Sequence, residues 1–430
     1  MRPRVSVIIP TRNRAALLAQ ALDSAFAQKG VGTEFDMDVV VVDDASTDTT
    51  ADVVARYSSA RHIRVSRNQG VGHARNVGIE ETAGTYVAFL DDDDLWLPEK
   101  LSLQVGALEA ASASGVAYSQ VFIGSPVQKH IFPERGAPSG ALFHHLLFVN
   151  LCVVPAVLVR REALANVGGF GNDLLEDYDM WLRLARHVPF LFVPGIVAVY
   201  RLSTGGRYQT AVRSGEHETA LRRIVENGLA VLPLTEASER INREGRATLE
   251  LRIAAALNAL QLTTRAWQRL RAGLDIDGGI MLNPRNRASI ASIVGQYAAT
   301  FPSPVAAATR LWQDFLSALG KHGIGQHAPM RRLLADVYWE VAIAQRGGIG
   351  CRSSVGGAAS AVARSLCVHP LDLRKWWALV RFMGRPLRWA LSARCQGDVR
   401  LGAGKTVRGA GVTPGYTTGG LSTPAPSSRR

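Results

Sequence analysis

The chain has 430 residues, 47% of them apolar and 20% charged, which is enough apolar material for more than one core and too much for a disordered chain. Its four cysteines, Cys152, Cys351, Cys367 and Cys395, stand far apart with no C-x-x-C pair; this argues against a disulfide scaffold, a zinc ribbon or a thioredoxin-type motif and fits a reducing compartment. The formal charge of +13 is unevenly held: residues 1–210 carry 19 Lys/Arg against 22 Asp/Glu and residues 211–430 carry 30 against 14, so the basic character belongs to the second half.

Taken along the chain, residues 5–9 form a short apolar run ended by Pro10, too short for the core of a secretory signal and right for a strand. Residues 14–28 carry Leu17, Leu18, Ala21, Leu22 and Ala25 at helical spacing. The valines of 39–42 make a continuous run of the kind buried on both faces of a parallel sheet. A helix is read over 49–57, a strand over 63–65, a helix over 71–81 and a buried strand over 86–90. This βαβαβαβ order predicts right-handed crossovers and an α/β fold with a mainly parallel sheet, its ligands beyond the carboxyl ends of the strands.

The most apolar long window, residues 142–159, holds His144, His145, Asn150 and Pro155, each costly in lipid, so no membrane-spanning helix is expected. His144 and His145 are read as hydrogen-bonded core histidines rather than catalytic groups. After Arg207 the pattern turns to Ala/Leu/Arg-rich helices at 212–230, 235–262, 287–300, 305–319 and 328–345; from Gln396 onward Gly, Thr, Pro and Ser dominate. The expected organisation is an α/β domain over 1–210, a helical region over 211–395 and a disordered tail over 396–430. A cytoplasmic location is expected.

Two strands end in acid. The run 39–42 closes on Asp43 and Asp44, and the strand at 86–90 closes on Asp91, Asp92, Asp93 and Asp94, ahead of Trp96 and Pro98. Unit charges about 6 Å apart repel by ~0.7 kcal/mol even in water, and a bound cation removes that cost. Hard ions such as Mg2+ take one or two carboxylates together with phosphate oxygens. A lone Asp-Asp is better read as a solvated turn or a helix cap; four between a hydrophobic strand and a tryptophan favour the cation. Glu176, Asp177 and Asp179 open a third acidic element, ahead of Met180, Trp181, Leu184 and Ala185 at helical spacing. Helix capping and dipole compensation, about 0.3 to 1 kcal/mol, account for these three equally well.

Gly70, Gly72 and Gly78 superficially suggest a dinucleotide fingerprint, but Arg75 stands where its third glycine belongs. The motif also fails to follow the first strand, where Pro10, Thr11, Arg12, Asn13 and Arg14 stand instead. Arg75 at a helix start suits the oxygens of a diphosphate, with an ordinary surface arginine as the alternative.

In this order, VSVIIPTRNR, VVVVDDASTD, NQGVGHARNVGI, YVAFLDDDDLWLPEKL, VLVRREALANVGGF and LLEDYDMWLRLA resemble the family 2 glycosyltransferases of the GT-A fold, from about residue 4 to residue 201. The resemblance implies a mixed, mainly parallel GT-A sheet flanked by helices. It also implies inverting transfer of a sugar from a nucleoside-diphosphate sugar to a glycan or lipid-linked acceptor hydroxyl, in cell-surface polysaccharide synthesis. By the same resemblance Pro10, Thr11, Arg12 and Asp44 hold the nucleoside, Arg75 lies near the donor, and Asp91, Asp92 and Asp93 are the D-x-D element. Asp93 would bind Mn2+ or Mg2+ directly, Asp92 would face the sugar or ribose, and Asp177 would be the catalytic base. One departure is that many relatives carry a histidine soon after the Tyr-Arg closing the domain, whereas Tyr200 and Arg201 are followed by none as far as Arg207. His217 is a candidate substitute.

Residues 371–394 interleave arginines such as Arg374, Arg381 and Arg388 with Trp376, Trp377, Phe382 and Trp389. That pattern suits peripheral contact with an anionic membrane, at the inner face of the plasma membrane; a packing helix with a solvated basic face competes with it. No nucleic-acid partner is expected, because no recognition helix, zinc knuckle or RNA-binding aromatic motif accompanies the charge. The rival readings of the acids are a metal-dependent nucleotidyltransferase or phosphohydrolase and a non-catalytic sugar-nucleotide scaffold. The first is disfavoured by the lack of glycine between Pro10 and Arg14, and the second has no need of Asp177.

Overall fold

The β-branched runs form the middle of one nine-stranded mixed sheet in the computed structural model of the chain. The structure describes residues 2–124, 129–133, 137–165, 167–201, 206–279, 286–299 and 306–311, with 313, 333, 336, 337 and 340 singly. Strand β1 (Arg4–Thr11) runs parallel to β2 (Asp36–Asp43) on one side and β4 (Tyr86–Phe89) on the other, and β3 (Ala60–Arg64) pairs parallel with β2. Val39, Val40 and Val41 stand opposite Val7, Ile8 and Ile9, all buried, because helices cover both faces.

Strand alternation decides which helix covers which face. The Leu18, Leu22 and Ala25 side of α1 (Ala15–Phe26) and Leu101, Val105 and Leu108 of α4 (Lys100–Ala110) pack with Val5, Val7 and Ile9. Helix α3 (Val71–Glu80) lies on the opposite, Ile8, face, where a Cβ at Gly78 would stand 2.4 Å from the Ile8 side chain. Short α2 (Thr50–Val54) contributes Val53 and Val54 to the first of these cores.

Five strands follow residue 90, where the sequence pattern ends its strand reading. Strand β8 (Val157–Arg160) pairs antiparallel with β4 and with β6 (Val116–Gly124). Strand β9 (Phe190–Arg201) runs parallel to β6, β7 (Lys129–Phe132) pairs antiparallel with β6, and two-residue β5 (Leu95–Trp96) pairs antiparallel with the end of β9. The acid turn between β4 and β5 is therefore held at both ends: Leu90 donates its amide to Ile8 O at 3.1 Å, and Leu95 stands opposite Val199.

Helices α5 (Phe143–Phe148), α6 (Arg161–Ala165) and α7 (Glu176–Leu184) complete this part. His144 and His145 are exposed on α5, contrary to the core reading, because Leu146 and Leu147 take its buried side. The helix read over 212–230 is two, α8 (Arg207–Ser214) and α9 (Glu216–Ala230), broken at Gly215 with φ +92°. Helix α10 (Glu236–Ala259) starts on Thr235, whose side chain accepts the Ser238 amide, and stops before Gln261. Helices α11 (Thr263–Ile276), absent from the sequence reading, and α12 (Arg287–Ala299) pack on α10.

All described residues fall within one compact unit, Met1–Trp376. The basic-aromatic segment 371–394, the tail 396–430 and most of the helices read at 305–319 and 328–345 lie outside the described residues. Among the described residues no helix is long and apolar enough to cross a membrane.

The glycines that imitated a dinucleotide motif have a packing role. Gly70 enters α3 with φ +93°, and Gly72 lets the first turn touch the loop ahead of α7, where a Cβ would stand 1.8 Å from Gly171 O. Because that neighbour is backbone, Gly72→Ala is expected to cost about 1–3 kcal/mol of stability in urea unfolding. A variant as stable as the native protein would show that the contact is not tight.

Candidate active site

The site is built where the ends of β1, β2 and β4 face the starts of α3 and α7. Pro10 and Thr11 are the last residues of β1 and are buried; Arg12, in the turn beyond, is exposed. Asn13, with φ +55°, accepts the Thr47 amide at 2.7 Å and donates its own amide to Ser46 Oγ at 3.0 Å, which staples this turn to the one after β2. Asp44 donates its amide to Thr11 O at 2.9 Å. Its buried carboxylate accepts the Gln69 and Gly70 amides at 2.8 and 2.9 Å, so it holds the loop that starts α3, each oxygen keeping one lone pair.

Arg75 is no surface arginine: its side chain is 3% exposed. Nη2 donates to Asp91 Oδ1 and Nη1 to Glu176 Oε1, both at 2.6 Å, and the guanidinium carbon lies 5.4 Å from the Phe170 ring centroid. Burial works against its charge, but Asp91 and Glu176 outweigh that and raise its pKa. The arginine thus ties the acid turn to the first turn of α7.

The other acids of the turn have different partners. Asp92, 5% exposed, accepts from Thr11 Oγ1 at 2.8 Å and Arg14 Nη1 at 3.0 Å. Asp93 accepts from the same Arg14 nitrogen at 2.7 Å. Asp94 accepts the Arg201 amide at 2.9 Å, and its buried Oδ2 has no hydrogen-bond partner among the described residues. Burial pushes Asp92 up to about 6 in spite of Arg14 and Thr11, and burial followed by the charge of Asp91 raises Asp93 and Asp94. Arg201 donates from Nε to Asp93 O, and Tyr200 beside it is raised by burial and then by the acids around it.

Helix α7 begins after Leu175 in the left-handed region, φ +65°. Its three leading carboxylates divide their roles: Glu176 pairs with Arg75, Asp179 pairs with Arg183 one turn on at 2.9 Å, and Asp177 has no ion pair among the described residues. Burial, then the charge of Glu176, pushes Asp177 up to about 7 against the pull of Arg75. A carboxylate with a raised pKa and no cation of its own is equipped to accept a proton.

Pro10, Thr11, Asp44, Arg75, Asp91, Asp92, Asp93 and Asp177 are thus linked through a continuous set of bonds and chain neighbours, and the exposed Arg12 side chain has no hydrogen bond to them among the described residues. His217 is buried on α9 with its ring 5.0 Å from that of Tyr208, and it has no hydrogen bond to the acid turn among the described residues. Burial and then Arg252 lower its pKa. Sequence reasoning missed Arg14, Tyr200 and Arg201. The first lies in the quoted turn motif, but nothing in its spacing indicates acids 78 and 79 residues away.

Among the described residues no three His, Cys, Asp or Glu side chains converge as a ready metal site. Two crowded, partly desolvated carboxylates sharing one cation nevertheless fit a hard divalent ion that takes few protein oxygens and completes its shell on a diphosphate.

The family model for glycosyl transferase family 2 matches residues 6–165. An uncharacterized glycosyltransferase of Rickettsia typhi is 28% identical over 233 residues, 51% of this chain and 70% of its own length. The UDP-Glc:alpha-D-GlcNAc-diphosphoundecaprenol beta-1,3-glucosyltransferase WfgD of Escherichia coli is 27% identical over 239 residues, 53% of this chain and 88% of its own. Among solved structures, the mannosyltransferase PcManGT of Pyrobaculum calidifontis in complex with GDP-Man and Mn2+ gives a TM-score of 0.47 at 22% identity, covering 75% of this chain and 87% of that one.

Removing Arg75 leaves Asp91 and Glu176 facing each other without a cation. Arg75→Met is expected to lower stability by about 3 kcal/mol in urea unfolding, since breaking a buried ion pair strands its partners. An unchanged midpoint would mean that the two acids separate freely.

Proposed function

We propose that the chain, whose residues 6–165 match the model for glycosyl transferase family 2, is a glycosyltransferase that moves a sugar from a nucleoside-diphosphate donor to a hydroxyl of a glycan or lipid-linked acceptor, with inversion. The setting is cell-surface polysaccharide synthesis on the cytoplasmic side of the membrane, a setting favoured by the E. coli relative, which is named for a UDP-Glc donor and a diphosphoundecaprenol-linked acceptor. The observation that carries the reading is that Asp177, free of any ion pair among the described residues, is fixed to the acid turn through Glu176, Arg75 and Asp91.

Pro10, Thr11, Arg12 and Asp44 receive the nucleoside in this reading, beyond the carboxyl ends of β1 and β2. Asp44 has one lone pair left on each oxygen for a base or ribose donor. Asp91 and Glu176 hold Arg75, which lies near the donor in this reading, and Asp92 addresses the sugar or ribose. Asp93 is the residue that would hold Mn2+ or Mg2+, and the ion when bound supplies positive charge to the departing diphosphate. Asp177 takes the proton from the acceptor hydroxyl as its oxygen forms the new bond to the anomeric carbon. The bond to the diphosphate breaks on the opposite side with its electron pair, so one displacement inverts the centre.

Asp177→Asn keeps the shape and removes the base. Transfer is expected to fall by about 10² to 10⁴ while donor binding by calorimetry stays near native; native turnover would remove Asp177 from the mechanism. Because Asp177 acts only when unprotonated, kcat/KM is expected to rise with pH through about 7 and level off above it. A profile flat between about pH 5.5 and 8.5 contradicts the assignment.

A further inference from the structure

Arg14 follows the β1 turn, and its main-chain carbonyl accepts the Leu17 and Leu18 amides that begin α1, so its backbone is fixed. Its side chain is not: it is 48% exposed and reaches across to the acid turn. A single nitrogen, Nη1, lies 3.0 Å from Asp92 Oδ1 and 2.7 Å from Asp93 Oδ2. Arginine ordinarily grips carboxylates with two nitrogens in a fork. One positive point between oxygens of two adjacent carboxylates is instead the place a divalent ion takes. Arg75 presents the contrast, since it is buried, engaged through two nitrogens and stacked over Phe170.

We propose that Arg14 is an exchangeable counter-ion. In the empty protein it neutralises Asp92 and Asp93; when a divalent ion enters with a diphosphate, the guanidinium gives up Asp93 to the ion and Asp92 to the sugar or ribose, and turns its forked donors to the diphosphate oxygens. No bond is made or broken in this exchange, and Asp93 keeps a cation throughout. The consequence is coupling: the ion alone must displace Arg14 into water, whereas the ion with a diphosphate offers Arg14 a new anion, so each ligand strengthens the other by the same factor. The inference rests on the reading of Asp93 as the metal-holding residue.

The test is Mn2+ binding to the full chain without nucleotide, read as the loss of free-ion signal in electron paramagnetic resonance. Arg14→Gln is expected to bind Mn2+ more tightly than native protein, on the order of ten-fold, because the competing charge is gone. Arg14→Lys keeps that charge and is expected to stay near native. If Arg14→Gln binds Mn2+ no more tightly than native protein while Asp93→Asn loses binding, the exchange role is overturned and the metal reading stands. If Asp93→Asn binds Mn2+ as the native protein does, the metal reading itself fails, and the exchange role with it.

Discussion

The two ion pairs of Arg75, each 2.6 Å long, fix the acid turn after β4 against the helix that carries Asp177. Their partners lie 16 and 101 residues away along the chain, so the bridge exists only once the sheet has brought α3, the turn and α7 together. Without a cation between them Asp91 and Glu176 would repel in a partly desolvated setting, where such repulsion exceeds its value in water. Lysine would not serve as well, because a point charge lacks the separate nitrogens and the flat face that lies over Phe170. Asp92 and Asp93 follow Asp91, and Asp177 follows Glu176, so the one bridge sets how far Asp92 and Asp93 stand from Asp177.

The surrounding fold holds that bridge from both sides. Phe89, Phe170 and Trp181 form an edge-on aromatic cluster behind it, with Phe170 at 5.1 Å from Phe89 and 6.1 Å from Trp181. On the far side of α7, Tyr178 donates its hydroxyl proton to Leu146 O and accepts from Arg252 Nη1 of α10 at 2.8 Å. Arg252 also lies over the Tyr178 ring at 4.8 Å, and a Cβ at Gly228 of α9 would stand 2.8 Å from Leu182 of α7. The helices after residue 206 are thus packed directly against the helix that bears Asp177.

What was legible in the sequence is what local pattern encodes. The valine run of β2, the helical spacing in α1 and the four acids after β4 each declare themselves within a few residues, and their order carried the family resemblance. Strands β5 and β8 are too short for alternation to show, and β9 is interrupted by Pro194 and Gly195, so their pairing depends on partners elsewhere in the sheet. The break at Gly215 falls in 213–219, a stretch without apolar residues, where helical spacing has nothing to register. Among the site residues the acids were readable and their partners were not. Nothing local distinguishes Glu176, Asp177 and Asp179, whereas the fold gives the first to Arg75, the third to Arg183 and leaves the second without an ion pair among the described residues. Arg14 and Arg75 look alike in sequence; one is buried and clamped, the other half-exposed and held by one nitrogen.

The most direct measurement is thermal unfolding of the full chain with a panel of nucleoside-diphosphate sugars, with and without Mn2+, alongside release of the nucleoside diphosphate. A site shaped by the Arg75 bridge predicts that at least one donor raises Tm, more so with Mn2+, and that the same donor yields its diphosphate. No shift with any donor in either condition, and no release, would contradict the account.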